Sequence, residues 1–132
     1  MTLLTLEEVR ETDAVHLRTG MRGEKIAAKF LRKLGYRIDG RNVRLGKDEI
    51  DIVAFDPATE TMIFAEVKTR SRRHEDYRPE LNADWHKVRR LQRSARKWVA
   101  EHSYEGGYRI DLLCVADGMV IEHIQELSWD DN

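Results

Sequence analysis

Glu66 and Lys68 stand two residues apart in the stretch IFAEVKTR, residues 63–70. In a strand, which rises about 3.3 Å per residue, they share a face with Cβ atoms roughly 7 Å apart, so a carboxylate and an ammonium reach a common point. The stretch DEIDIVAF before them contributes another carboxylate, Asp51. If Asp56 pairs with Thr61 across the turn DPATE, facing residue numbers sum to 117 and Asp51 lies opposite Glu66. Two carboxylates at that range repel unless a cation neutralises them. Hard carboxylate oxygens with waters suit Mg²⁺ or Mn²⁺, usually held by one or two carboxylates and the phosphates of a substrate. Such an ion lowers the pKa of its water and polarises a phosphoryl oxygen, and Lys68 could orient or deprotonate that water or offset charge on the phosphate. Taken alone, E-x-K also describes an ion pair near a strand end.

The elements that must position these groups are legible from periodicity. Between Thr19 and Gly35, Ile26, Ala27, Phe30, Leu31 and Leu34 recur at three- and four-residue steps while Lys25, Lys29, Arg32 and Lys33 fill the other side, the pattern of an amphipathic helix with Thr19 as N-cap and Gly35 as stop. A short helix over residues 1–17 is the weaker expectation. YRIDGRNVR reads as a first strand and LGKD as a turn. In the second strand, Ile50, Ile52 and Ala54 alternate with Glu49, Asp51, Val53 and Phe55; in the third, Ile63, Ala65 and Val67 alternate with Met62, Phe64, Glu66 and Lys68. SRRHEDYRPE is a polar basic loop. Trp85, Val88, Leu91, Ala95, Trp98 and Val99 then form the apolar stripe of a second helix reaching about His102, which predicts both tryptophans in the core. YRIDLLCVA and MVIEHIQEL are two strands joined by Asp117-Gly118, the dipeptide of a tight hairpin. The order is helix, three strands, helix, two strands.

Charge is segregated along the chain. The net charge of −1 conceals +7 over residues 20–47, −6 over 48–67, +7 over 68–97 and −7 over 98–132. An acidic block between two basic ones suits a protein that gathers a cation and a polyanion in one place, although any single run also reads as a solvated face. With 132 residues the chain is about one domain long, and a single domain is expected over 1–132, with 1–18 an extension and 19–126 the core. The first residues, MTLLTLEEVRETD, have acidic groups and no long apolar run, so neither a targeting peptide nor a membrane span is read, and a cytoplasmic protein is expected. Cys114 is the only cysteine, which excludes an intramolecular disulfide, and the five histidines lack zinc-like spacing.

The acidic strand followed by E-x-K, within this order of elements, resembles the PD-(D/E)XK nuclease superfamily. More narrowly, GMRGEKIAAKFLRKLGYRIDGRNVRLGKDEIDIVAFD, FAEVKTR, Lys87 and RID resemble the YraN family of predicted endonucleases, related to archaeal-type Holliday-junction resolvases, over about Gly20 to Ile124. The resemblance implies an α/β restriction-endonuclease-like core with a central mixed sheet flanked by helices. It implies a metal-dependent endonuclease on DNA, including branched or repair intermediates; the alternative is a nucleic-acid-binding module of the same fold without turnover. Carried onto this chain, the pattern makes Asp51 and Glu66 ligands of Mg²⁺ or Mn²⁺, Lys68 the catalytic lysine and Glu24 a remote acid of the site. Glu24 also reads as a helix N-terminal carboxylate favoured by the dipole.

Arg70, Arg72 and Arg73, with Lys87 and Arg90 of the second helix, are the expected phosphate contacts. Glu49 shares Asp51's face, where a salt bridge to Arg44 or Lys47 competes with a role in the site. Arg109 and Asp111 read as a structural pair. Asp48 replaces the glycine usual before this motif, Ile50 stands where the superfamily name has proline, and the loop before the second helix lacks the usual glycine before its proline. A resolvase-like role needs two active sites, which a homodimer would supply.

Overall fold

The computed structural model describes residues 22–70 and 85–127. The expected helix over 1–17 and the Thr19 cap lie outside them, as do Arg72 and Arg73. Helix α1 occupies residues 22–33. It ends as the sequence demands: Gly35 takes φ +95°, Tyr36 N–H donates to Leu31 O (3.0 Å) and Gly35 N–H to Arg32 O (2.9 Å), the paired bonds of a Schellman stop.

Five strands follow around one further helix: β1 Arg37–Leu45, β2 Asp48–Asp56, β3 Thr61–Arg70, α2 Trp85–Glu101, β4 Gly107–Ala116 and β5 Met119–Ile124. They form a single mixed sheet in the order β1-β2-β3-β4-β5, antiparallel except for the parallel β3–β4 pair that α2 connects. This is the α/β fold with helix, three strands, helix and two strands that the sequence predicts. Asp56 pairs with Thr61 and Ile52 with Ala65, so the predicted β2–β3 register is the one formed. Asp56 fixes that turn by accepting the Ala58 N–H (3.0 Å) and the Thr59 hydroxyl (2.9 Å). At the β4–β5 turn both Asp117 and Gly118 have positive φ, as a tight primed turn requires.

The helices cover opposite faces. Ala27, Ala28 and Leu31 of α1 pack on Ile52, Ala54, Ile63, Ala65, Leu113 and Val115. Across the sheet, Leu91, Ala95 and Trp98 of α2 pack on Val53, Met62, Phe64 and Ile110. Alanines on α1 and at sheet positions 54 and 65 leave room for close approach. Ile50 departs from the expected alternation: it belongs with Val53 beneath α2, not with Ile52 and Ala54. The β2–β3 ladder has its last pair at Ile52–Ala65, so the pleat shared with β3 no longer fixes the side of residues before it. Trp98 is core as expected; Trp85, the first residue of α2, is 40% exposed, because the buried stripe begins only at Val88.

Candidate active site

The divergence of β2 from β3 creates the site. Beyond Ile52–Ala65 the strands cease to pair, and Asp51 Oδ2 accepts the Val67 N–H at 2.8 Å. One side chain thereby satisfies a donor that the departed strand no longer serves, while β3 continues in its ladder with β4 as far as Arg70–Ala116. An open cleft of about 240 Å³ lies at this point, with Asp51 and Glu66 on the sheet side and Lys87, Arg90 and Ser94 on the α2 side. Four residues expected to act together, Asp51, Glu66, Lys87 and Arg90, thus meet around one space.

Glu24 and Glu49 complete the acidic group. One carboxylate oxygen from each of Glu24, Glu49 and Asp51 falls within 4.8 Å of the others. Glu24 arrives from α1 and is hydrogen-bonded by Asn42, but its Oε2 is buried with no hydrogen-bond partner among the described residues. Glu49 also stands 3.9 Å from Arg44, an exposed pair that holds it weakly. Glu66 is not one of the three mutually close carboxylates; it faces the cleft next to Asp51.

The electrostatics are those of a site short of positive charge. Burial, then the nearby Asp51, pushes Glu24 above the ordinary carboxylate value, with Asn42 and Arg41 pulling it back. Burial likewise raises Asp51, which the Val67 N–H and Lys87 oppose and Glu49 reinforces. Glu66 is raised by burial and by Asp51, against the opposing charges of Lys87, Arg90 and Lys68. A hard divalent cation fits this donor set: the oxygens are close, mutually repelling and partly unpaired. A divalent cation held by Asp51 with Glu66, or with Glu24 and Glu49, would supply charge neutralisation and an acidified water.

The remaining expected residues are distributed less simply. Lys68 follows Glu66 on β3, half-buried and close enough to act on the Glu66 carboxylate. Arg70, at the end of β3, lines a different depression with Arg22, Gly23 and Thr69 near the start of α1. Asp48 also lines the cleft, but pairs with Arg93 (3.2 Å) and Lys97 (3.8 Å) of α2 and so pins α2 to the head of β2.

Arg109 and Asp111 form the expected structural pair. Asp111 is fully buried and accepts from Arg109 Nε at 3.0 Å and from the Glu126 N–H at 3.2 Å; His123 Nε2 lies 2.8 Å from its other oxygen, and Arg109 reaches the Tyr36 hydroxyl at 2.7 Å. Burial would raise Asp111, but the hydrogen bonds from His123 and Arg109 hold it below the ordinary value.

Sequence reasoning missed Ser94, which is 1% exposed, lines the cleft and has a hydroxyl without a partner among the described residues. No sequence signal marks it, since a serine between Arg93 and Ala95 reads as an ordinary helix residue.

Residues 23–115 match the profile of a family described as Uncharacterised protein family UPF0102. The chain belongs to this family. It is the YraN family that the motifs resemble. UPF0102 relatives similar to this chain include proteins of Pelobacter propionicus (40% identical, covering 80% of this chain and 79% of the relative), Kosmotoga olearia (36%, covering 86% and 95%) and Mycobacterium avium (38%, covering 89% and 95%). A solved structure titled as an EndoMS–dsDNA2 complex superposes with a TM-score of 0.45 at 18% identity over 69% of this chain and 35% of that one.

Proposed function

We propose that this UPF0102 protein is a Mg²⁺- or Mn²⁺-dependent endodeoxyribonuclease that hydrolyses phosphodiester bonds in DNA, including branched recombination or repair intermediates. The observation that carries this reading is the convergence of Asp51 and Glu66 with Lys87 and Arg90 around one cleft where β2 leaves β3. The carboxylates are the metal ligands, and Glu24 and Glu49 flank them. Lys87 and Arg90 bind the phosphate and its neighbours. Lys68 orients the attacking water and offsets charge as the water oxygen bonds to phosphorus and the P–O bond to the leaving sugar breaks. The protein works as a soluble cytoplasmic enzyme, and a homodimer would present two such sites to a branched substrate.

A panel of linear, flapped and four-way-junction DNAs incubated with Mn²⁺ tests this. Products that require the metal and vanish in Asp51→Asn support the enzyme. DNA bound without cleavage in any divalent metal would replace it with a binding module of the same fold. That second reading is favoured by one feature: Lys68 is half-buried on β3, whereas the cleft wall is made by Glu66, Lys87 and Arg90.

A further inference from the structure

Helix α1 carries Arg22, Lys25 and Lys29 at positions i, i+3 and i+7, all exposed and on one face. At 1.5 Å per residue they span about 10 Å of the helix. Together with Arg41 of β1 they line an open groove of about 630 Å³, and among the described residues its only other lining residue is Ile26, with no carboxylate. None of the three α1 cations is ion-paired to another described residue. The contrast with α2 is clear, for there Arg93 and Lys97 are engaged by Asp48. Four cations lining one groove with no carboxylate among its described lining residues repel one another and raise the local concentration of a polyanion.

The groove also adjoins the acidic group. Lys25 follows Glu24 directly, and Arg41 acts on the Glu24 carboxylate. At its other end Arg22 is shared with the depression that contains Arg70. Cations therefore flank the carboxylates on two sides: Lys87 and Arg90 from α2, and the α1–β1 groove with Arg70 beyond it. We infer that Arg22, Lys25, Lys29 and Arg41 form a second phosphate-binding surface, which holds the DNA backbone after it has crossed the acidic cleft. The inference rests on DNA being the ligand of the cleft. It makes the preferred substrate one whose backbone continues on both sides of the scissile phosphate, as in a duplex arm, and not a free end.

The test uses the full chain, EDTA and a fluorescent duplex of about 30 base pairs, with affinity measured across a salt series so that binding is read apart from cleavage. Each phosphate contact contributes about 0.9 to the slope of log K against log salt. Arg22→Gln/Lys25→Gln/Lys29→Gln should flatten the parent slope by about 2 to 3, and Lys25→Gln/Lys29→Gln by about 2. Lys87→Gln/Arg90→Gln should flatten it by about 2 independently. An unchanged slope in both α1 variants, with the α2 variant weakened, overturns the second surface and leaves the nuclease reading standing. A parent that binds no duplex at low salt, in EDTA or with Ca²⁺ in its place, overturns both.

Discussion

Asp51 Oδ2 accepts the Val67 N–H at 2.8 Å, so a carboxylate facing the cleft is also what closes the gap between two parting strands. The two duties can be separated by mutation. In Asp51→Asn the amide oxygen can still accept the hydrogen bond while the repulsion is gone, so the metal-free variant should be as stable as the parent or more so in urea denaturation. Asp51→Ala orphans a part-buried donor and should cost about 1 kcal/mol or somewhat more. Mn²⁺ should raise the melting temperature of the parent and of neither variant. A metal-induced rise in Asp51→Asn equal to that of the parent would remove Asp51 from the ligands.

The carboxylates also fix how metal-free stability responds to pH. Glu24, Asp51 and Glu66 all have folded-state pKa values raised by burial first. The folded chain then holds protons more tightly than the unfolded chain, so their contribution is fully present below about pH 4 and is lost as pH rises through the raised values. Glu24→Gln/Asp51→Asn/Glu66→Gln should therefore gain on the metal-free parent as pH increases from 4.5 to 7.5. Equal pH dependence in the two proteins would show that the cluster is not strained.

How much of this was legible depended on sequence distance. The β2–β3 register followed from Asp56 and Thr61 because a short turn leaves few alternatives; the ladder stops one residue short of the expected Asp51–Glu66 pair, yet both carboxylates reach one cleft. Glu24 was legible through resemblance and through its place on the helix face of Ala27, Ala28 and Leu31, but its approach to Asp51 was not, since what brings α1 to the sheet is packing on Ala54 and Ala65. Glu49 has Arg44 and Lys47 close in sequence, and that local pairing obscured its approach to Glu24. Arg70 looked like a continuation of the Glu66–Lys68 strand toward the cleft, yet lies where β3 passes the start of α1. Nothing local distinguishes Asp48, whose partners lie in α2, from another ligand.

Gly23 tests the docking of α1 directly. It is buried against Thr69, and a Cβ there would clash with the Oγ1 of that residue and crowd its Cβ and Cγ2, so the threonine must turn and the α1–β3 contact must give. Gly23→Ala should therefore loosen the first turn of α1 on β3 and disturb the neighbouring Glu24. Overpacking of this kind costs about 1–3 kcal/mol. The variant should lose stability and metal-induced stabilisation together, and Thr69→Ala in the same chain should restore part of both.

Asp111 should behave oppositely to the cleft carboxylates. Its pKa is lowered in the folded state, so the unfolded chain binds the proton more tightly; its contribution is present above the ordinary carboxylate range and lost as pH falls below about 4. Asp111→Asn leaves Arg109 without its buried partner and should cost about 3–5 kcal/mol at neutral pH, with the deficit shrinking on acidification. A pH-independent deficit would mean that shape, not charge, is what the network supplies.

Lys68 decides whether the cleft cuts or only binds. It stands two residues beyond Glu66 on β3 and acts on that carboxylate, but it does not line the cleft with Lys87 and Arg90. Lys68→Ala should therefore keep duplex affinity and most of the Mn²⁺-induced stabilisation while cleavage falls by about 10²–10⁴-fold, the range for proton transfer by a positioned side chain. Lys68→Arg should not restore the rate, because a guanidinium retains the charge but cannot give up a proton near neutral pH. Recovery with arginine would reduce the role to charge compensation of the phosphate. Cleavage by Lys68→Ala at the parent rate under saturating metal would exclude Lys68 from the reaction and leave Glu66–Lys68 as an ion pair at a strand end.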